Sequence, residues 1–115
     1  MALEIQQEKI YEKPAGDVYA AALKAAAGLE GQVSGEKPEA GEFEIRFDKK
    51  ILGNVLGDRT FLSVKVRESD AAGSTIAIEA YPLDAVGRKL MFGARKGVTD
   101  KVVAWFFAHL EHHLG

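Results

Sequence analysis

Residues 2–11 alternate in character. Leu3, Ile5, Gln7, Lys9 and Tyr11 fall on one side, and Glu4, Gln6, Glu8 and Ile10 on the other. A period of two predicts a half-buried strand. Pro14 and Gly16 interrupt it, and the stretch KPAGDVYAAALKAAAGL (13–29) then predicts a helix. Pro14 suits a first turn, Asp17 complements the N-terminal dipole, and Ala is the strongest helix former. Val18, Ala22, Ala25 and Leu29 share one face, flanked by Tyr19 and Ala26, and Gly28 and Gly31 offer stops. A face of alanines lets the helix lie close to another backbone.

Residues 31–42 are rich in Gly, Pro and Glu, with a candidate short strand at 31–34. Phe43, Ile45 and Phe47 then alternate with Glu42, Glu44, Arg46 and Asp48, the clearest amphipathic strand in the chain. ILGNVLGD (51–58) carries Gly53 and Gly57 and reads as a turn or bulge. From Arg59 to Arg67, Leu62, Val64 and Val66 oppose Phe61, Ser63 and Lys65. From Ser74 to Tyr81, Ile76, Ile78 and Ala80 oppose Thr75, Ala77 and Glu79. ESDAAG (68–73) joins these two runs as a hairpin loop, Pro82 is expected to end the second, and RKLMF (88–92) is a candidate short strand. Residues 98–114 form the longest predicted helix. Its apolar set is wider than one stripe: Val103, Phe106, Leu110 and Leu114 suit one face, while Val98, Val102 and Trp105 spread to a second. The order β-α-β(3–5)-α predicts an α+β domain over 1–115, with an antiparallel sheet packed on the C-terminal helix. No repeat or linker divides the chain.

Composition narrows the classes. With 115 residues, 47% hydrophobic and 28% charged, the chain is large enough for one core and falls outside disordered and collagen-like compositions. Its net charge of −2 argues against a nucleic-acid partner, whose phosphates call for a basic surface. Residues 1–48 carry 5 basic and 10 acidic side chains, and residues 49–115 carry 10 basic and 7 acidic. Arg88, Lys89, Arg95, Lys96 and Lys101 supply much of that basic half, which reads as a solvated loop and helix start rather than an anion site. The absence of Cys removes disulfides and thiol chemistry, argues against zinc, and fits a reducing cytoplasm. No apolar run approaches the ~18 residues of a membrane span. The N-terminus does not read as a signal peptide, and the closing HLEHHLG reads as native sequence.

Three features together resemble the helix-grip superfamily, which includes the birch-pollen allergen, START lipid-transfer domains, polyketide cyclases and, broadly, the TATA-box-binding-protein-like fold. They are the opening strand followed by KPAGDVYAAAL, the antiparallel run in the middle, and the closing helix GVTDKVVAWFFAHLEHHLG. The resemblance covers nearly the whole chain at the level of order and pattern, as a short member. It implies an apolar cavity between the sheet and the long helix, with small apolar ligands as cargo.

Candidate chemistry is sparse. His109, His112 and His113 sit at i, i+3 and i+4, a spacing that can hold a metal. Without Cys or a neighbouring acidic ligand they read as surface residues, and no metal or cofactor is expected. Ser34, Ser63, Ser69 and Ser74 are the only serines, and none stands in a nucleophile elbow. GNVLGDR (53–59) lacks the ending of a phosphate loop and reads as a turn, with a mobile mouth to a cavity as its functional alternative. Arg46 and Arg59 adjoin strongly alternating strands. Arg46 shares the polar side of its strand with Glu44 and Asp48, so a cross-strand salt bridge is its default, and a ligand anchor the alternative. Trp105, Phe106 and Phe107 cannot all face one core. Phe106 reads as core, while cavity, interface and edge-of-core compete for Trp105.

The leading expectation is a ligand-binding domain. It would hold an apolar or amphipathic small molecule between sheet and C-terminal helix, with Phe43, Ile45, Phe47, Val64, Ile78, Trp105 and Phe106 as liners. The competitors are a homo-oligomeric interaction domain, such as a homodimer, with a filled core and no ligand, and a cyclase or dehydratase implied by the resemblance alone. An enzyme ranks last, because no residue declares itself catalytic.

Overall fold

The computed structural model describes residues 4–69, 73–90 and 97–115. Strand β1 (Ile5–Tyr11) leads through Pro14 into helix α1 (Ala15–Gly28), and β2 (Gln32–Lys37) follows. A 3₁₀ turn at Pro38–Ala40 connects to β3 (Glu42–Phe47), and two very short strands, β4 (Lys50–Ile51) and β5 (Asn54–Val55), form a ribbon. The long strands β6 (Arg59–Glu68) and β7 (Ser74–Leu83) precede the closing helix α2 (Val98–Leu114). The main sheet is antiparallel in the order β1-β7-β6-β3-β2.

Alternation sets the register. Phe43 lies opposite Val64, which lies opposite Ile78, and Ile45–Leu62–Ala80 forms the next row. These rows point to one face, where Val18, Ala22 and Ala25 of α1 and Val102, Phe106 and Leu110 of α2 close a single buried cluster. Slipping one strand by one residue would turn its apolar set to solvent. Helix α2 meets β6 and β7 on one side and α1 on the other. That double burial accounts for the width of its apolar set. The alanine face of α1 does what its size allows: Gly28 lies so close to α2 that an added Cβ would stand 3.0 Å from His109 Nδ1.

Several elements depart from the sequence reading. β2 runs beyond 31–34 to Lys37, with a register shift between Ser34 and Lys37 where Gly35 has φ of 61°. ILGNVLGD contains the β4–β5 ribbon, whose Ile51 and Leu56 turn back into the core. Pro82 does not end β7, which continues to Leu83 with Pro82 opposite Thr60. The reason lies in its direction. The Pro82 carbonyl accepts from Leu90 N at 2.9 Å, so its nitrogen also points away from β6 and no ladder donor is lost. Within the candidate strand 88–92, Lys89 bridges Leu83, while Met91 and Phe92 lie outside the described residues, as do Leu3, Arg95 and Lys96. No helix among the described residues is long and apolar enough to cross a membrane.

Candidate functional site

The two ends of the sheet–helix sandwich differ. At one end Glu111 of α2 accepts a hydrogen bond from the Tyr11 hydroxyl at 2.7 Å and from the Lys9 ammonium at 3.2 Å. Lys9 also sits 4.4 Å from the centroid of the Phe107 ring. This places Gln7, Lys9 and Tyr11, an inward-facing polar series, against the C-terminal half of α2. The Tyr11 and Lys9 hydrogen bonds hold the Glu111 carboxyl below its ordinary value. Burial and the bond to Glu111 push the Tyr11 hydroxyl above its own.

A carboxyl with a depressed folded pKa contributes stability above its unfolded pKa and loses it as pH falls through the folded one. The urea midpoint should therefore drop between about pH 7 and about pH 3.5. Tyr11→Phe should show a smaller drop, and an equal drop would mean the hydrogen bond carries no linkage.

A helix of 17 residues spans about 25 Å at 1.5 Å per residue. With Glu111 beside Lys9 and Tyr11, the N-terminal turn of α2 reaches the opposite end. There the last full row of the sheet is Phe47–Thr60–Pro82. The β4–β5 ribbon leaves from β3 and returns into β6 across this end. The hairpin after β7 borders it, with Asp84 Oδ1 accepting from Val86 N at 3.0 Å and Arg88 N at 2.9 Å. Glu30 tethers the ribbon by accepting from Leu52 N at 2.7 Å.

Two open grooves lie at this end, on the outer side of the sheet from which Arg46, Arg59 and Leu83 project. One, of about 330 Å³, is bordered by Glu30, Gln32, Arg46, Phe47, Asp48, Arg59, Leu83 and Gly87. The other, of about 350 Å³, is bordered by Lys49, Gly57, Asp58, Arg59, Leu83 and Leu90 among others. They share Arg59 and Leu83. A further groove of about 330 Å³ runs along the side, between β1 and α2, over Val103, Ala104, Phe107 and Ala108. Of these three, only the last lies between sheet and helix.

The expected liners fall into two groups. Phe43, Ile45, Phe47, Val64, Ile78 and Phe106 all join the buried cluster, and Trp105 is half-buried against it. Phe47 also borders the first end groove. Ile78 borders a groove on the opposite, outer face of the sheet, with Ser63 and Lys65. The two arginines border the same end groove, and the salt bridge expected of Arg46 is made by Arg59 instead. Arg59 Nε lies 3.9 Å from Asp48, whereas Arg46 donates to Ser34 Oγ at 3.2 Å and covers the Phe61 ring. Phe61 in turn stacks on Tyr81 with centroids 4.7 Å apart, and Lys89 covers Tyr81 at 5.1 Å. Arg46, Phe61 and Tyr81 are direct register partners, so a cation–aromatic ladder crosses the outer face. Of the three histidines, His109 is half-buried beside Gly28, and His112 and His113 are exposed.

The sequence reading missed Thr60. It is fully buried, and its Oγ1 has no hydrogen-bond partner. The signal was present, since residues 60, 62, 64 and 66 share one side of β6. Ser74, at the Tyr11 end, is the other buried hydroxyl without a partner among the described residues.

The backbone superposes on that of Ara h 8.0201 with a TM-score of 0.66, over 96% of this chain and 96% of that one, at 8% identity. The chain has the helix-grip fold. The sheet and the closing helix form the grip, and the ribbon crosses one of its ends. Two di-domain ARO/CYC proteins share the fold. BexL of the BE-7585A biosynthetic pathway matches with a TM-score of 0.61 and 12% identity over 99% of this chain. StfQ of the steffimycin biosynthetic pathway matches with 0.62 and 9% identity over 92%. The matched regions cover 46% and 43% of those longer chains. At such identities the likeness is one of fold alone. No protein-family model matches the chain, and no curated protein does.

Proposed function

We propose that this domain is a cytoplasmic binder of an apolar or amphipathic small molecule, held between sheet and C-terminal helix. The observation that supports the reading is the open groove of about 330 Å³ between β1 and α2, over Val103, Ala104, Phe107 and Ala108. It is within the size range of small-molecule sites. It sets Ile5, Val103 and Phe107 beside Lys9 and Glu111, the chemistry an amphipathic ligand uses. Phe43, Ile45, Phe47, Val64, Ile78, Trp105 and Phe106 would form the apolar wall behind it. The two di-domain ARO/CYC neighbours come from biosynthetic pathways, which supports small organic molecules as the ligand class.

Native mass spectrometry of the purified protein tests this even while the ligand is unidentified. The expected result is an excess mass on the folded chain that disappears on denaturation. A clean mass at twice the chain would contradict it and favour a homodimer with a filled core. A clean monomer that also fails to take up added small aromatic probes would contradict it outright.

A further inference from the structure

We infer that the groove between β1 and α2 prefers a positively charged amphiphile, an apolar chain carrying a protonated amine, and that Asp100 receives the amine. The inference rests on the ligand-binding reading above and names the chemistry of that same site.

One face of α2 forms the helical side of this groove. Asp100, Val103, Ala104, Phe107, Ala108 and Glu111 follow at spacings of three and four, so they share a stripe. The inner positions of the stripe are apolar. Its two ends are carboxylates, about 16 Å apart along the helix axis at 1.5 Å per residue. Ala104 and Ala108 are exposed, and their small side chains leave the trough open along its rim. Ile5, Gln7 and Lys9 form the strand side.

The two carboxylates differ in their partners. Glu111 accepts from the Tyr11 hydroxyl and from the Lys9 ammonium, which is the one cation bordering the groove among the described residues. Asp100 makes no hydrogen bond and no ion pair among the described residues, and no side chain caps the start of α2. Asp100, Glu111 and Lys9 together leave one uncompensated negative charge, and it stands at the Asp100 end. The helix dipole does not explain that placement. An acid at position 101 would complement it as well, yet that residue is Lys and does not border the groove.

An apolar chain lying over Val103, Ala104 and Phe107 brings an ammonium at its end to Asp100. A carboxylate in the same seat meets a like charge, and a hydroxyl gains no ion pair. The pair is exposed and the positive start of the helix opposes it, so the preference is modest.

Calorimetric titration of the full chain with octylammonium, octanol and octanoate, which share one chain and differ in head group, tests this. At low salt, octylammonium should bind more tightly than octanol by about two- to fivefold, the value of one exposed ion pair, and octanoate should bind most weakly. Asp100→Asn should remove that margin and leave octanol binding unchanged. Asp17→Asn, which deletes the first-turn acid of α1, should keep the margin. Ala104→Leu, at an exposed helix position, should weaken all three by filling the groove. Octanol or octanoate binding as tightly as octylammonium, or a margin that survives Asp100→Asn, would overturn the inference and leave the binding reading standing. Binding undiminished by Ala104→Leu, or no binding of any probe, would overturn both.

Discussion

Phe106→Ala is expected to lower the unfolding free energy by about 3–5 kcal/mol, the range for removing a buried aromatic ring from a filled core. Phe106 is fully buried between the sheet and α1, among Val102 and Leu110 of its own helix. Its ring meets Phe107 edge-on with centroids 5.6 Å apart. Little around it can collapse, because Phe43 and Phe47 on the sheet are themselves buried to 1% exposure. Urea unfolding at neutral pH measures the loss. The result also bears on where a ligand sits. If Phe106 bordered an existing void, the loss would fall toward the transfer part alone, about 1.5–3 kcal/mol. A large loss places the centre of the grip in the packed core.

Gly41→Ala is the second large effect, and it acts through the backbone. Gly41 has φ of 68°, where an L side chain costs about 1–2 kcal/mol. Its missing Cβ would also run into the Val66 carbonyl oxygen, well inside van der Waals contact. The approach is fixed from both chains, since Val66 N donates to the Gly41 carbonyl at 2.8 Å. Neither side can give without breaking the junction of β3 and β6, so the loss should exceed the conformational part alone. Gly16→Ala is the control. A Cβ there meets nothing within 4 Å, and the position lies in the first turn of α1. It should be neutral or raise stability by about 0.5–1 kcal/mol. Equal losses in the two variants would mean that the Gly41 contact is looser than described.

What could be read from the sequence followed from how local the cause was. The alternation of Phe43, Ile45 and Phe47, and of Ile76, Ile78 and Ala80, is written in consecutive residues, and so were β3, β6, β7 and both helices. The β-α-β-α order that suggested the helix grip rests on those same signals. Pro82 misled because a proline ends a strand only where its nitrogen faces a partner, and which side it faces depends on Leu90 and β6. The polar inner side of β1 made sense only with Glu111, a hundred positions from Tyr11, in contact. Two apolar faces on α2 suggested an interface or a cavity. The structure assigns them to the sheet and to α1, with Trp105 half-buried at the margin. Of the expected liners, Phe47 borders a groove with Arg46 and Arg59, which project from the outer face. Thr60 went unremarked, because a single threonine in a strand is ordinary until its burial and missing partner are known.

The most direct test of binding between sheet and helix is a titration of isotope-labelled protein with 2-naphthol, followed by backbone amide chemical shifts. Saturable shifts should cluster at Ile5, Gln7, Val103, Ala104, Phe107 and Ala108, which border the groove between β1 and α2. Shifts confined to the outer face, around Ser63, Lys65 and Ala77, or none at all, would contradict binding between sheet and helix.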